Sequence, residues 1–387
     1  MKSSNYFQFL FFLILAFMIS ACSTETNDIP VVDLEHVSSS TDLALSDLLY
    51  DIELIKLELV ADQPVPGFFF PWVGEKHILI ISRQFVLQYT RDGSYIRTLL
   101  KQGNGPGEFR YIYCYDVDEE NDILYYADSG VSGKIFMVDL ETGRQLNEII
   151  LPSKSRFCFN GIILTEPNRL LCILDRYSED KYLYLYVSAD GKVEYGAPRV
   201  PFSGEVPAVQ SSGYIGRSGG RISYMPEPDT VFTLYGQLKT PYLIIKAGEI
   251  FNMSANVLHG NMPVLALETS EHTLITNPEI QAKTFEGGGF SANTVSNNLF
   301  LMYNHNFSVK KINNFFIDYL GYTEEMPRFS NTGKYATLTI EALSLIEKTN
   351  RALNNNIDDP GLIERLSDLK NKVNEGDNPY LLIGRLK

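Results

Sequence analysis

The chain has 387 residues, 44% of them apolar and 12% aromatic, and its 33 Lys and Arg against 47 Asp and Glu give a formal charge of −14. No run of basic residues offsets that acidity, which excludes nucleic acid as a partner, since its binding depends on clustered Lys and Arg. The length exceeds one minimal domain and fits a single large repeat architecture.

Residues 1–21 carry one charge, at Lys2, followed by an unbroken apolar run from Phe9 to Ile19. That run falls short of the roughly 20 residues a membrane-spanning helix needs and reads as the core of a signal peptide. It ends in Ile19-Ser20-Ala21-Cys22, which resembles the lipobox of bacterial lipoproteins. The resemblance implies removal of residues 1–21 and lipidation of Cys22; an ordinary secretory signal with Cys22 incidental is the other reading. Residues 22–42 then form the lipidated N-terminus and a polar tether, and 43–387 the folded part. Cys114, Cys158 and Cys172 remain, an odd number in an exported chain. All three sit in β-type runs and read as buried free thiols, with a Cys158–Cys172 bridge across a hairpin as the alternative. The five histidines are scattered and no C-x-x-C occurs, so no structural zinc site is assigned.

From Ile52 to Leu59 the chain alternates like a strand. Short β-type runs then follow one another, separated by turns: His77 to Arg83, Phe85 to Thr90 and Tyr95 to Leu100, then Tyr111 to Asp118, Ile123 to Ala127, Lys134 to Leu140 and Gln145 to Leu151. The turn glycines Gly93, Gly143 and Gly191 recur at separations of 50 and 48 residues. A period near 50 with four strands per unit is the signature of propeller blades. Further units run from Arg156 to about Val200, from Ser211 to Ala247 and from about Pro263 to Ile317. Beyond Thr332 the pattern turns helical, loosely at Ile340, Leu343, Ile346 and Leu353 and cleanly at Leu362, Leu366, Leu369 and Val373. Asp359 is placed as N-cap, Pro360 as first helical residue and Gly376 beyond the end. These helices, over about 338–376, read as an insertion in the last blade. The run Tyr380 to Leu386 is a final strand, and because an open ring would leave two exposed edges, Ile52 to Leu59 is expected to join it.

The seven residues Gly103-Asn104-Gly105-Pro106-Gly107-Glu108-Phe109 separate two of these units. Taken with the lipobox, the following Asp116-Val117-Asp118-Glu119-Glu120-Asn121 and the terminal Asp377-Asn378-Pro379-Tyr380-Leu381-Leu382, this junction gives a chain that resembles the six-bladed β-propeller lipoproteins of Gram-negative bacteria, relatives of the NHL-repeat propellers. The resemblance implies an all-β, six-bladed ring closed by N- and C-terminal strands. It also implies lipid anchoring in the cell envelope, at the outer membrane with the side left open. The implied role is a ligand-binding or protein-scaffolding one, possible partners being a glycan, a peptide or another envelope protein, with links to glycan or nutrient uptake. No established reaction comes with it.

The Gly-rich junction lacks the Lys-Ser/Thr of a phosphate loop and leads into a strand, so it reads as a crossover between blades. Its glycines are expected to take positive φ at several points, Glu108 to accept hydrogen bonds from loop amides, and Phe109 to pack between blades. Asp116, Asp118 and Asp122 lack the glycine and distal glutamate of a calcium loop and read as a solvated turn. Gly287-Gly288-Gly289 reads as a flexible loop, an anion nest being the alternative. No local serine or cysteine with histidine and acid signals a nucleophilic enzyme. A propeller hydrolase, lactonase or lyase with calcium or zinc in the channel stays open as the alternative function, because its ligands would come from separate blades. Any ligand site is expected at the channel mouth beside the second blade, near Arg110, Tyr111 and Tyr113. Strand alternation puts Arg110 and Ile112 on one side and Tyr111 and Tyr113 on the other, and the tyrosine pair is assigned to contact a sugar or peptide. Inter-blade packing with hydroxyls bonded to backbone is the competing reading. The anchor is checked separately: Cys22→Ser should shift the protein from the membrane fraction to the soluble fraction, and retention after washing would refute lipidation.

Overall fold

The computed structural model describes residues 29–387 apart from 61–64, 66–68, 129, 130, 132, 153–156, 175–180, 199–213, 219, 220, 226–228, 237, 250–258, 262, 263, 285–289, 325–327 and 356. The Cys22 anchor and the Gly287–Gly289 stretch thus lie outside the described residues. Six sheets make the blades. Blade 1 begins with the inner strand Phe69–Val73 and ends with Tyr95–Gln102, blade 2 runs from Ile112–Asp118 to Ile149–Ile150, and blade 3 from Phe157–Glu166 to Val193–Pro198. Blade 4 runs from Tyr214–Ser218 to Leu238–Lys246 and blade 5 from Val264–Glu268 to Val309–Ile317. Blade 6 takes Phe329–Asn331, Tyr335–Ile340 and Tyr380–Leu386 from the end of the chain and its outermost strand, Leu49–Lys56, from the beginning.

The blades are held by apolar layers between them. Six buried clusters occupy the six interfaces. The layer between blades 1 and 2 holds Leu79, Val86, Phe109, Val117 and Tyr126; that between blades 6 and 1 holds Leu57, Ile78, Tyr89, Tyr335 and Leu381. Each blade presents both faces to neighbours, which is why strands such as His77–Ser82 and Arg169–Leu174 are buried almost continuously and show no alternation.

The closing strand starts at Leu49, three residues before the expected Ile52, and stops at Lys56. It leaves the sheet because other partners take its end. The buried side-chain amide of Asn378 donates to the carbonyls of Leu57 (3.3 Å) and Glu58 (2.8 Å), and its oxygen accepts from the Val65 amide (2.5 Å). The Glu58 amide in turn donates to the Gly93 carbonyl (2.9 Å). A β-carbon on Gly93 would lie 2.2 Å from the Lys56 carbonyl oxygen, and φ there is +91°, so this turn position needs glycine twice over.

Two strands lie inside the stretch expected to be a tether. Val31–Asp33 pairs in parallel with the outer strand of blade 4, and Ser40–Ala44 with that of blade 5. The helices are Ala342–Asn354 and Pro360–Lys372, inserted between the second and third strands of blade 6 as expected, with the Asp359 side chain capping Gly361. The first of them buries Ala342, Leu345, Thr349 and Ala352, and Leu343 is half exposed, so the face expected there is rotated. Cys172 is a free buried thiol opposite Ile162, hence the bridge to Cys158 is not formed, and burial pushes the thiol up from its ordinary value.

Asn378→Ala would strand three backbone groups, those of Leu57 and Val65 buried and that of Glu58 partly so. Each unmet group costs about 1–3 kcal/mol, and a loss of at least about 2 kcal/mol is expected in denaturant unfolding. A midpoint unchanged from the parent would remove Asn378 from the closure.

Candidate functional site at the channel mouth

The inner strands of all six blades enclose a cavity of about 390 Å³ on the ring axis. Blade 1 contributes Phe70 and Trp72, blade 2 Tyr111, Tyr113, Tyr115 and Asp116, blade 3 Ile162 and Ile163, blade 4 Arg217, blade 5 Ala266, and blade 6 Phe329 to Thr332. The volume lies in the range of small-molecule sites.

The Gly103 to Phe109 junction delivers the chain to this wall. Glu108 accepts from the Gly105 amide (2.7 Å), and its carboxylate sits where a β-carbon on Gly103 would be. Of the junction glycines only Gly107 has positive φ, at +78°. The expectation of several such positions is therefore corrected: Gly103 leaves room for Glu108. Phe109 is fully buried between blades 1 and 2, as expected. Arg110 stays on the junction, its Nε donating to Asn104 (3.1 Å), and does not line the cavity.

Tyr111 and Tyr113 both reach the cavity, edge to face with ring centroids 5.9 Å apart. The Asp128 carboxylate fixes the entry of this strand by accepting from the amides of Arg110 (2.9 Å) and Tyr111 (3.2 Å). Strict alternation does not hold beyond that point. Asp128 faces Ile112 and Ala127 faces Cys114, which leaves Tyr113 as a bulge residue. The bulge brings Tyr113 towards the cluster between blades 2 and 3 on the same side as Cys114, whereas Ile112 belongs to the layer facing blade 1.

A side chain absent from the sequence-based expectations also lines the cavity. Arg217 of blade 4 donates through Nη1 to the Leu164 carbonyl of blade 3 (2.7 Å) and to Asp116 of blade 2 (3.2 Å), and through Nη2 to the Thr332 carbonyl of blade 6 (2.5 Å). One guanidinium thus ties four blades across the axis, the planar fork serving acceptors on both sides. A β-carbon on Gly333 would lie 2.6 Å from its Nε, and Gly333 has φ +84°. Asp116 also accepts from the Leu164 amide (2.7 Å). Asp116 and Asp118 are buried bridges between blades, which corrects the solvated-turn reading; Asp118 accepts from Asn168 of blade 3 (2.9 Å). Asp122 stays near the surface, paired with Lys76 (3.1 Å). Burial, and then the neighbouring Asp116 carboxylate, pushes the Tyr115 phenol above its ordinary value, so it remains a donor at any physiological pH.

A ring of six blades, each a sheet of at least four strands, around an axial cavity defines the class: this is a six-bladed β-propeller. The chain belongs to the DUF4934 family, a domain of unknown function, whose model matches residues 29–385. Its fold is similar to that of a Bacteroides fragilis protein provisionally described as exported, with TM-score 0.62 and 15% identity over 92% of this chain and 99% of that one. Lesser similarities reach the β-propeller domain of Myceliophteria thermophila Cps50 (Swd1), with TM-score 0.37 and 11% identity over 72% of this chain and 94% of that one. They also reach a hypothetical selenium-binding protein of Sulfolobus tokodaii, with TM-score 0.37 and 12% identity over 63% and 67%. No curated protein sequence matches. Among the described residues no helix is long and apolar enough to cross a membrane.

Arg217→Ala should cost roughly 2–4 kcal/mol, since it leaves Asp116 and two carbonyls without their cation. Arg217→Lys should recover less than half, because one ammonium cannot serve three blades' acceptors. Both are read from denaturant midpoints, and a lysine variant as stable as the parent would show that charge alone suffices there.

Proposed function

We propose that the protein is a lipid-anchored cell-envelope propeller that binds a small ligand, a sugar or the side chains of a peptide, at the mouth of its channel. The observation that carries this reading is the axial cavity, walled by aromatic faces from blades 1, 2 and 6 and braced by the Arg217 clamp. Phe70, Tyr111, Tyr113 and Phe329 supply flat apolar faces, and tyrosine adds a polar edge. Among the described residues nothing engages the Tyr111 or Tyr113 hydroxyl, so packing with hydroxyls spent on backbone is the weaker account of the pair. The enzyme alternative finds less support. The one carboxylate on the described lining, Asp116, is already committed to Arg217 and the Leu164 amide, and the described His/Cys/Asp/Glu cluster with metal-like spacing, Asp33, Glu35 and His36, lies on the N-terminal strand segment outside the cavity. Export is favoured by the similarity to the exported Bacteroides fragilis protein and by the apolar leader, and the anchor by Cys22.

The test is a glycan array and a peptide library probed with the full chain in detergent. A ligand should be found whose affinity drops at least about tenfold in the Tyr111→Ala, Tyr113→Ala double variant, the loss of two stacking contacts of about 0.5–1.5 kcal/mol each. An unchanged affinity in a normally folded double variant would show that the ligand binds elsewhere.

A further inference from the structure

The polar groups on the cavity wall divide into those already spent within the protein and those left over. Arg217 and Asp116 satisfy each other and neighbouring backbone. Asn331 accepts from the Gly333 amide (2.6 Å), and the Thr332 hydroxyl donates to the Val73 carbonyl (3.0 Å). The remainder among the described residues are Arg83, the buried Trp72 indole N–H and the Tyr111, Tyr113, Tyr115 and Ser330 hydroxyls. Arg83 is exposed at the mouth and engages no carboxylate, carbonyl or ring among the described residues. Its backbone is held in place: it occupies the blade 1 turn in which the Ser82 hydroxyl donates to the Phe85 carbonyl (3.0 Å) and accepts from the Gln84 (3.2 Å) and Phe85 (3.1 Å) amides.

Among the described residues two arginines and one aspartate line the cavity, a net charge of +1 in a chain of net charge −14. The free side-chain groups among the described residues are a guanidinium fork, an indole N–H and hydroxyls, and no free carboxylate or side-chain amide lies on the lining. A ligand matched to that set presents acceptors, above all a planar anion for the fork, together with a non-aromatic or aromatic face for the ring-lined wall. An extended peptide would also bring backbone N–H donors, for which the free side chains of the described lining offer only hydroxyl lone pairs. A sugar hydroxyl accepts or donates as required.

Resting on the channel-mouth reading above, we propose that the ligand is an acidic saccharide, its carboxylate held by Arg83 and its ring against Tyr111 and Tyr113. The full chain in detergent is titrated calorimetrically with digalacturonic acid and with its dimethyl ester, which has the same rings and no charge. The acid should bind at least tenfold more tightly than the ester. Arg83→Ala should weaken the acid by about 10- to 100-fold, the value of a charge-assisted pair, and bring it to the ester's level. Affinity for the acid should also fall as salt rises from about 50 to about 300 mM, since the fork lies at the exposed rim. Equal binding of acid and ester, or an Arg83→Ala variant that binds the acid like the parent, overturns the acidic preference and leaves the channel-mouth reading standing if the Tyr111→Ala, Tyr113→Ala variant still fails. Acid binding that ignores both Arg83 and the tyrosines overturns both. Binding of neither sugar probe, or an Arg83-dependent response to an acidic peptide alone, overturns the saccharide assignment.

Discussion

The fold depends on one antiparallel pairing, between Leu49–Lys56 and Tyr380–Leu386. Five of the six blade interfaces follow from neighbours in sequence, but the sixth requires the two ends of the chain to meet. Loop-closure entropy for such a distant contact grows only slowly with length, so the cost is modest beside the surface gained. The gain is the whole layer between blades 6 and 1, since Leu57, Tyr335 and Leu381 are buried only when the ring is shut. Polar contacts hold the same seam: Glu75 of blade 1 takes Tyr335 (2.6 Å) and Arg385 (3.3 Å) of blade 6 and also pairs with Lys334. These surface pairs add specificity of alignment more than stability.

Closure also explains the course of the N-terminal segment. Val31–Asp33 and Ser40–Ala44 cover the outer edges of blades 4 and 5 before the chain reaches blade 6. An outer edge is a row of unpaired backbone groups, and a parallel strand laid along it removes that liability. Leu45 and Leu48, on the turn of helix between Ser40–Ala44 and Leu49–Lys56, enter the core between blades 5 and 6. The segment is therefore part of the ring's wall.

How much of this was legible in the sequence follows from the range of the interactions. The blade period, the Gly93, Gly143 and Gly191 turns, the Asp359 cap and the C-terminal strand are set by neighbouring residues, and each was read correctly. The outer strands at Val31 and Ser40 were missed because three to five residues of mixed polarity carry no period. Tyr111 and Tyr113 were placed on the axis by the junction before them, but the bulge at Tyr113 arises from its pairing with the Ala127–Asp128 segment and has no local sign. Arg217 shows the limit most clearly. Its partners Asp116 and Thr332 are 101 and 115 residues away, and its surroundings, with glycines on either side, look like the least regular stretch of the chain. A signal did exist, in a lone arginine among small residues where an inner strand was due.

The clamp and the free arginine acquire different meanings from the same geometry. Arg217 neutralises the only described carboxylate of the lining, and that neutralisation is what lets Arg83 set the sign of the mouth. The surrounding chain, at −14, repels an approaching anion. With a Debye length of about 8 Å at physiological salt, that repulsion fades within a few side chains of the surface. An anionic ligand would therefore gain nothing from long-range steering and would be selected at contact, by the fit of its carboxylate to one fork and of its ring to two tyrosines. Such a site trades association rate for discrimination, and the rigidity needed for it comes from the wall behind: a strand entry fixed by Asp128, a turn fixed by Ser82, and a brace in which one side chain joins four blades.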